Sequence, residues 1–109
     1  MPQFYYVTTK TKEEAKRIAK ALLQKKYIAG ANMFPLESLY WWQDKICEEE
    51  EYALVMQSTK DNFAKIEELV KTLHSYEIPC IVSFAITESS PDFLNWIRET
   101  AEHIDKKEE

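Results

Sequence analysis

Tyr27-Ile28-Ala29-Gly30-Ala31-Asn32-Met33-Phe34-Pro35-Leu36-Glu37-Ser38-Leu39-Tyr40-Trp41-Trp42-Gln43-Asp44-Lys45-Ile46-Cys47-Glu48-Glu49-Glu50-Glu51-Tyr52-Ala53-Leu54-Val55-Met56-Gln57-Ser58 is the stretch whose reading decides the fold. It begins apolar, alternates into the aromatic triplet Tyr40-Trp41-Trp42, takes a polar step at Gln43-Asp44-Lys45, and returns through an acidic run to Tyr52–Met56. Strand formers on both sides of a short polar step predict one long β-hairpin with two tryptophans near its tip. Such a hairpin is about twice the usual strand length, so it must reach beyond the body of a small domain. Large aromatics at a protruding tip need cover, and in a short chain another copy is the nearest cover available. Alternation would send Leu36, Ser38 and Tyr40 to one face and Glu37, Leu39 and Trp41 to the other. Pro35 predicts a bend or bulge. Glu48 to Glu51 offer oxygen ligands to hard cations, but strand neighbours point to opposite faces, so at most two converge. An edge kept soluble by charge is the preferred reading.

Working outward, Phe4–Thr9 is aromatic and β-branched throughout and reads as a strand. Thr11 stands three residues before Glu14, a capping-box signature, and Ala15, Ile18, Ala19, Leu22 and Leu23 follow at helical spacing. The first helix is predicted from Lys12 to Lys25, its lysines forming a solvated face or, as the sharper alternative, a docking patch. Thr59 is the predicted cap of a second helix with Phe63, Ile66, Leu69, Val70 and Leu73 on its buried stripe, ending near His74 before Pro79. Cys80–Ile86 is apolar on both faces, which predicts a strand that is central or covered. Ser90-Pro91 opens a third helix with Phe93, Leu94, Ile97, Ala101 and Ile104 on one side. The charged tail from Asp105 to Glu109 is expected to fray. The order β-α-β-β-α-β-α is a split βαβ unit, an α+β fold with a four-stranded antiparallel sheet and two helices on one face. The other face must then be covered, partly by the third helix and partly by other subunits.

At 109 residues the chain is expected to be one domain, 1–109, large enough to bury a core without staples. A formal charge of -5 disfavours nucleic acid as a partner. Cys47 and Cys80 lack CxxC spacing, so neither a disulfide framework nor a structural zinc site is indicated, and reduced, packed thiols are expected. Met1-Pro2-Gln3-Phe4 has neither the basic nor the long apolar region of a signal peptide, and no apolar run approaches the roughly 20 residues of a membrane span. A cytoplasmic location is expected. One glycine implies short loops with few positive-φ positions, and 30% charged residues lean towards a heat-tolerant source.

The polar residues that stand out are His74, Tyr76 and Glu77 after the second helix, with Lys60 at its start. His74 beside Glu77 can be read as metal ligand or as half of an acid–base pair; the plainer reading is an end-of-helix histidine on a free carbonyl. No Gly-rich phosphate loop, HExxH or GxSxG is present, so nothing demands an enzyme.

Asn32 with Pro35, then Ser38-Leu39-Tyr40-Trp41-Trp42 and Lys45-Ile46, resemble the N-x-x-P…S-I-Y-W-W-x-G-K-I block of the CutA family. Leu73-His74-Ser75-Tyr76-Glu77-Ile78-Pro79 is similar to its L-H-P-Y-E-V-P motif, and Pro91-Asp92-Phe93-Leu94-Asn95-Trp96-Ile97 to its closing P-x-Y-L-x-W-I. The resemblance runs from about Phe4 to Ile97. It implies a ferredoxin-like fold and a homotrimer built like the PII signalling proteins, with long hairpins extending the sheets across subunit boundaries. It also implies divalent-cation tolerance, with copper or another divalent cation as the metal, and no catalytic reaction. The chain departs from the family pattern at several points. Gly30 stands where relatives often carry Cys, and Val7 where some carry a proposed copper ligand; losing both weakens a soft Cu(I) site. Cys80 replaces a Glu, Ser75 a Pro, and Asp44 the hairpin Gly, at a turn that calls for positive φ.

The leading expectation is therefore a trimeric binding protein taking a small ligand or metal between subunits. Tyr40, Trp42, Lys60, Tyr76 and Glu77 would line the ligand site, with His74, Glu77 and Cys80 as candidate metal ligands. A scaffold that docks a partner protein is the alternative from another class. RNA binding shares the strand order but lacks the aromatic-basic octamer, and a small acid–base enzyme built on His74 and Glu77 is the remaining reading.

Overall fold

The computed structural model describes residues 1–101. The predicted Ile104 contact and the tail from Asp105 to Glu109 lie outside the described residues. Strand β1 (Pro2–Thr9) is followed by helix α1 (Lys12–Gln24), strands β2 (Gly30–Trp42) and β3 (Lys45–Thr59), a 3-10 turn at Lys60–Asn62, helix α2 (Phe63–Leu73), strand β4 (Ile81–Ala85) and helix α3 (Pro91–Ala101). All strand pairs are antiparallel, in the order β2-β3-β1-β4. The α+β split βαβ fold expected from the sequence is the fold observed.

Helices α1 and α2 cover one face of the sheet. Tyr5 and Val7 of β1 and Leu54 and Met56 of β3 meet Ile18 and Leu22 of α1 and Ile66 and Val70 of α2, all fully buried. These residues recur at period 2 on the strands and at helical spacing on the helices, which is why a single layer of contact buries them all. Helix α3 buries Ile97 and Ala101 with Ala29 in a smaller cluster. Its end is tied to the turn before α2 by Asn62, whose side-chain amide donates to Ala101 O at 2.8 Å.

Strands β2 and β3 form the long hairpin, with an unbroken register from Gly30↔Gln57 to Trp42↔Lys45. Gln43 and Asp44 close it with φ of 52° and 64°, the left-handed pair of a two-residue type I′ turn. No bulge occurs at Pro35, which pairs directly with Tyr52. Because β2 is an edge strand, its missing N–H can face away from the ladder. Only Tyr52–Thr59 of β3 also pairs with β1, so Lys45–Glu51 and its β2 partners leave the body as a two-stranded arm.

Two further expectations are corrected. Strand β4 lies at the other edge rather than centrally, and its Val82 and Phe84 are 45% and 53% exposed. Thr59 caps the 3-10 turn instead of α2, without a side-chain capping bond.

Candidate functional site

Cross-strand partners project from the same face of a sheet. The register therefore puts Ser38, Tyr40 and Trp42 on one face of the arm together with Cys47, Glu49 and Glu51, opposite to the face that carries α1 and α2 in the body. Phe34 of β2, Tyr6 of β1 and Val82 of β4 continue this face across the sheet. Leu39, Trp41 and Ile46 project from the arm's other side and are 71%, 72% and 65% exposed.

Glu51 is the centre of the site. The acidic run reads in sequence as a solvated edge, yet Glu51 is only 6% exposed. Ser38 Oγ donates to its Oε1 at 2.5 Å and Tyr76 OH to its Oε2 at 2.5 Å. Tyr40 OH donates to Glu49 Oε1 at 2.7 Å. Hydroxyls thus take the place of cations as partners of two carboxylates. Burial, and then the bond to Glu51, hold the Tyr76 phenol well above its ordinary range. Burial and the Glu51 charge also push the Cys80 thiol up, away from the thiolate that a soft metal needs.

His74 caps the C-terminus of α2 and its side chain is fully buried. Its carbonyl partner belongs to β1 and not to its own helix: Nε2 lies 2.8 Å from Thr8 O, and Nδ1 lies 3.1 Å from the Tyr76 amide nitrogen. A carbonyl can only accept and an amide N–H only donate, so Nε2 carries the proton and Nδ1 accepts. The carboxylate beside it is Glu14, 3.6 Å from Nδ1, whereas Glu77 is exposed. With both ring nitrogens engaged, His74 does not fit a metal in this arrangement. Among the described residues no three of His, Cys, Asp and Glu are grouped to hold an ion.

The structure therefore brings Tyr40 and Tyr76 to one place, on Glu49 and Glu51. Trp42 lies two residues further towards the tip on the same face. Cys80 is exposed and close enough for the Glu51 charge to act on it. Lys60 is not part of this group. It opens the turn before α2, at the end of the sheet where its amide bonds Met1 O, while His74 sits at the far end of the helix. At about 1.5 Å per helical residue the two are roughly 20 Å apart. Ser38, Glu49, Glu51 and Glu14 also carry the site, although the sequence reading placed none of them there: it took Glu49 and Glu51 as part of a charged edge and Glu14 as a helix cap. Counting outward from Gln43-Asp44 as a two-residue turn would have put Ser38 directly opposite Glu49 and Glu51 diagonally beside it on the same face. A recess of about 670 Å³ lies on the arm's other side, between Pro35 and Tyr52 at its root and Lys10 to Glu13 at the start of α1.

The family profile described as CutA1 divalent ion tolerance protein matches residues 3–100. The chain belongs to this CutA family. It is 43% identical over 102 residues to the divalent-cation tolerance protein CutA of Archaeoglobus fulgidus, covering 94% of this chain and 100% of that one. It is 38% identical over 100 residues to the CutA of Thermus thermophilus, covering 91% and 97%. A solved structure described as the periplasmic divalent cation tolerance protein CutA from Archaeoglobus fulgidus superposes with a TM-score of 0.91, covering 94% of this chain and 100% of that one. The CutA1 of Oryza sativa superposes with a TM-score of 0.89 at 28% identity, covering 93% and 95%. The CutA fold accounts for the arm, the two-helix layer and the third helix alike.

Proposed function

We propose that this chain works as a homotrimer in divalent-cation tolerance, binding a small ligand or metal ion where the arm of one subunit meets the sheet of the next. The carrying observation is the sheet face left free by α1 and α2, where Phe34, Val82 and Phe84 lie exposed on the same face as Glu51 with its Tyr76 partner. An apolar face of this kind, between two open strand edges, calls for a further layer, and three copies closing on one another supply it. Since His74 is fully engaged, any cation would have to draw oxygen ligands from more than one subunit, and copper would find no soft pair in the single chain. The reading assigns binding and no catalytic step.

The exposed Leu39, Trp41 and Ile46 on the other side of the arm favour a second reading, a scaffold that docks a partner protein. Nucleic acid has no part in either, because the arm carries Glu37, Asp44 and Glu48 to Glu51 against Lys45 alone. We place the protein in the cytoplasm, and fractionation of its host checks that location.

Sedimentation equilibrium at low concentration tests the assembly: a trimer is expected, and a stable monomer overturns the reading. Calorimetric titration of the intact protein with Cu(II), Zn(II) and nucleotides, repeated on Glu51→Gln, tests the site. Heat that disappears in the variant supports it. The absence of heat at millimolar ligand leaves the scaffold reading in its place.

A further inference from the structure

We propose that Glu14 is a positioning residue for the Tyr76–Glu51 pair, acting as a latch on the segment after α2, and that Ser75 is what lets the latch close in this chain. The functional meaning of this inference rests on the site reading above; its geometry is that of one chain. Glu14 is the third residue of α1, and its backbone amide donates to Thr11 Oγ1 at 3.1 Å, one half of a capping box. The other half is missing, because the carboxylate does not turn back to Thr11. It reaches instead into the interface between two connecting segments, with a side chain 6% exposed. Oε1 accepts the Lys10 N–H at 2.9 Å, and Oε2 accepts the Ser75 N–H at 2.7 Å, 61 residues away.

The next amide along is fixed as well, since Tyr76 N–H donates to His74 Nδ1. His74 is itself held by Thr8 O, and its ring lies 4.8 Å from that of Tyr76. Two consecutive amides thus have dedicated acceptors, and the phenol that follows them lands on Glu51. An ionised carboxylate receiving backbone N–H groups makes bonds roughly twice as strong as neutral ones. Burial alone would raise the Glu14 carboxyl, but the amides of Lys10 and Ser75 bring it below the ordinary carboxylate range.

Residue 75 is decisive because proline has no N–H to give. Proline at this position would leave Oε2 without this donor. With Ser75 a hydrogen bond holds the segment, so the placement of Tyr76 depends on a residue in a different helix.

A double-mutant cycle tests this on the intact, ligand-free protein with Glu14→Gln, Ser75→Pro and both together. The readouts are amide exchange at Tyr76 and the Tyr76 hydroxyl proton resonance, which a general loss of stability would not move selectively. Gln presents an amide NH₂ to one of two N–H donors, so Glu14→Gln should speed Tyr76 amide exchange by about tenfold and broaden the hydroxyl signal. In the Ser75→Pro background the same change at Glu14 should have no further effect at Tyr76. If Glu14→Gln does not fold, Glu14→Asp, too short to span both amides, takes its place in the cycle. An unchanged Tyr76 in Glu14→Gln overturns the latch, and so does an equal effect with proline at 75. These measurements need no ligand, so their failure and a failed cation titration are separate results.

Discussion

The phenol of Tyr76 and the carboxylate of Glu51, 25 residues apart in sequence, meet at 2.5 Å across the junction of arm and body. With Ser38 on the other oxygen, the carboxylate is buried with no cationic partner among the described residues. Tyr76→Phe removes one of its two hydroxyl donors and should cost about 1–3 kcal/mol, as expected for a buried group left unsatisfied. Urea unfolding measures this. Combined with Glu51→Gln the losses should fall short of additive, because both changes break the same bond.

Tyr40 predicts an alkaline limb to the stability profile. Its bond to Glu49, followed by burial and the nearby charges, pushes the phenol from 10.0 up to about 12. A phenol raised in the folded state contributes stability that is complete below its unfolded value and is lost as pH climbs through the folded one. Melting temperature should therefore fall between about pH 10 and 12 for this reason. In Glu49→Gln, absorbance titration should show one tyrosine returning towards its ordinary value.

The hairpin turn offers a stabilising change. Asp44 holds φ of 64°, a region that a side chain tolerates at some cost and glycine occupies freely. Asp44→Gly should raise stability by about 0.5–1 kcal/mol, read as a higher thermal midpoint.

Gly30 predicts the opposite sign. Its φ is not positive, so space and not backbone conformation is the constraint. A Cβ there would stand 2.8 Å from Trp96 Cη2 and 2.8 Å from Gln57 Oε1. Gly30→Ala should cost about 1–3 kcal/mol by overpacking, and pairing it with Trp96→Leu should recover part of the loss in the same unfolding assay.

The sequence made the layer of α1 and α2 on β1 and β3 readable, because period-2 and period-3.6 patterns each point at one buried face. It also made the arm readable, since Trp42 and Lys45 flank a polar pair. The burial of Glu51 was hidden: four identical residues give no hint which is covered, and it takes the hairpin register to bring Ser38 to it and the segment after α2 to bring Tyr76. Edge position was equally silent, so β4 looked central because Val82 and Phe84 are apolar, and Pro35 looked disruptive because β2 was not known to be an outer strand. Glu14 announced a cap and delivered half of one, its carboxylate drawn away by Ser75, a partner 61 residues distant.

The uninterrupted pairing of the arm sets a counting rule for how this chain can drift. With the register of the body kept, removing a single residue between Gly30 and Ser38 would turn Ser38 and Tyr40 away from Glu49 and Glu51 and bring Leu39 and Trp41 round in their stead. The arm can be shortened or lengthened only by deleting or inserting residues in matched sets, two on each strand. Indels of any other size should be absent from functional descendants, however freely individual letters change.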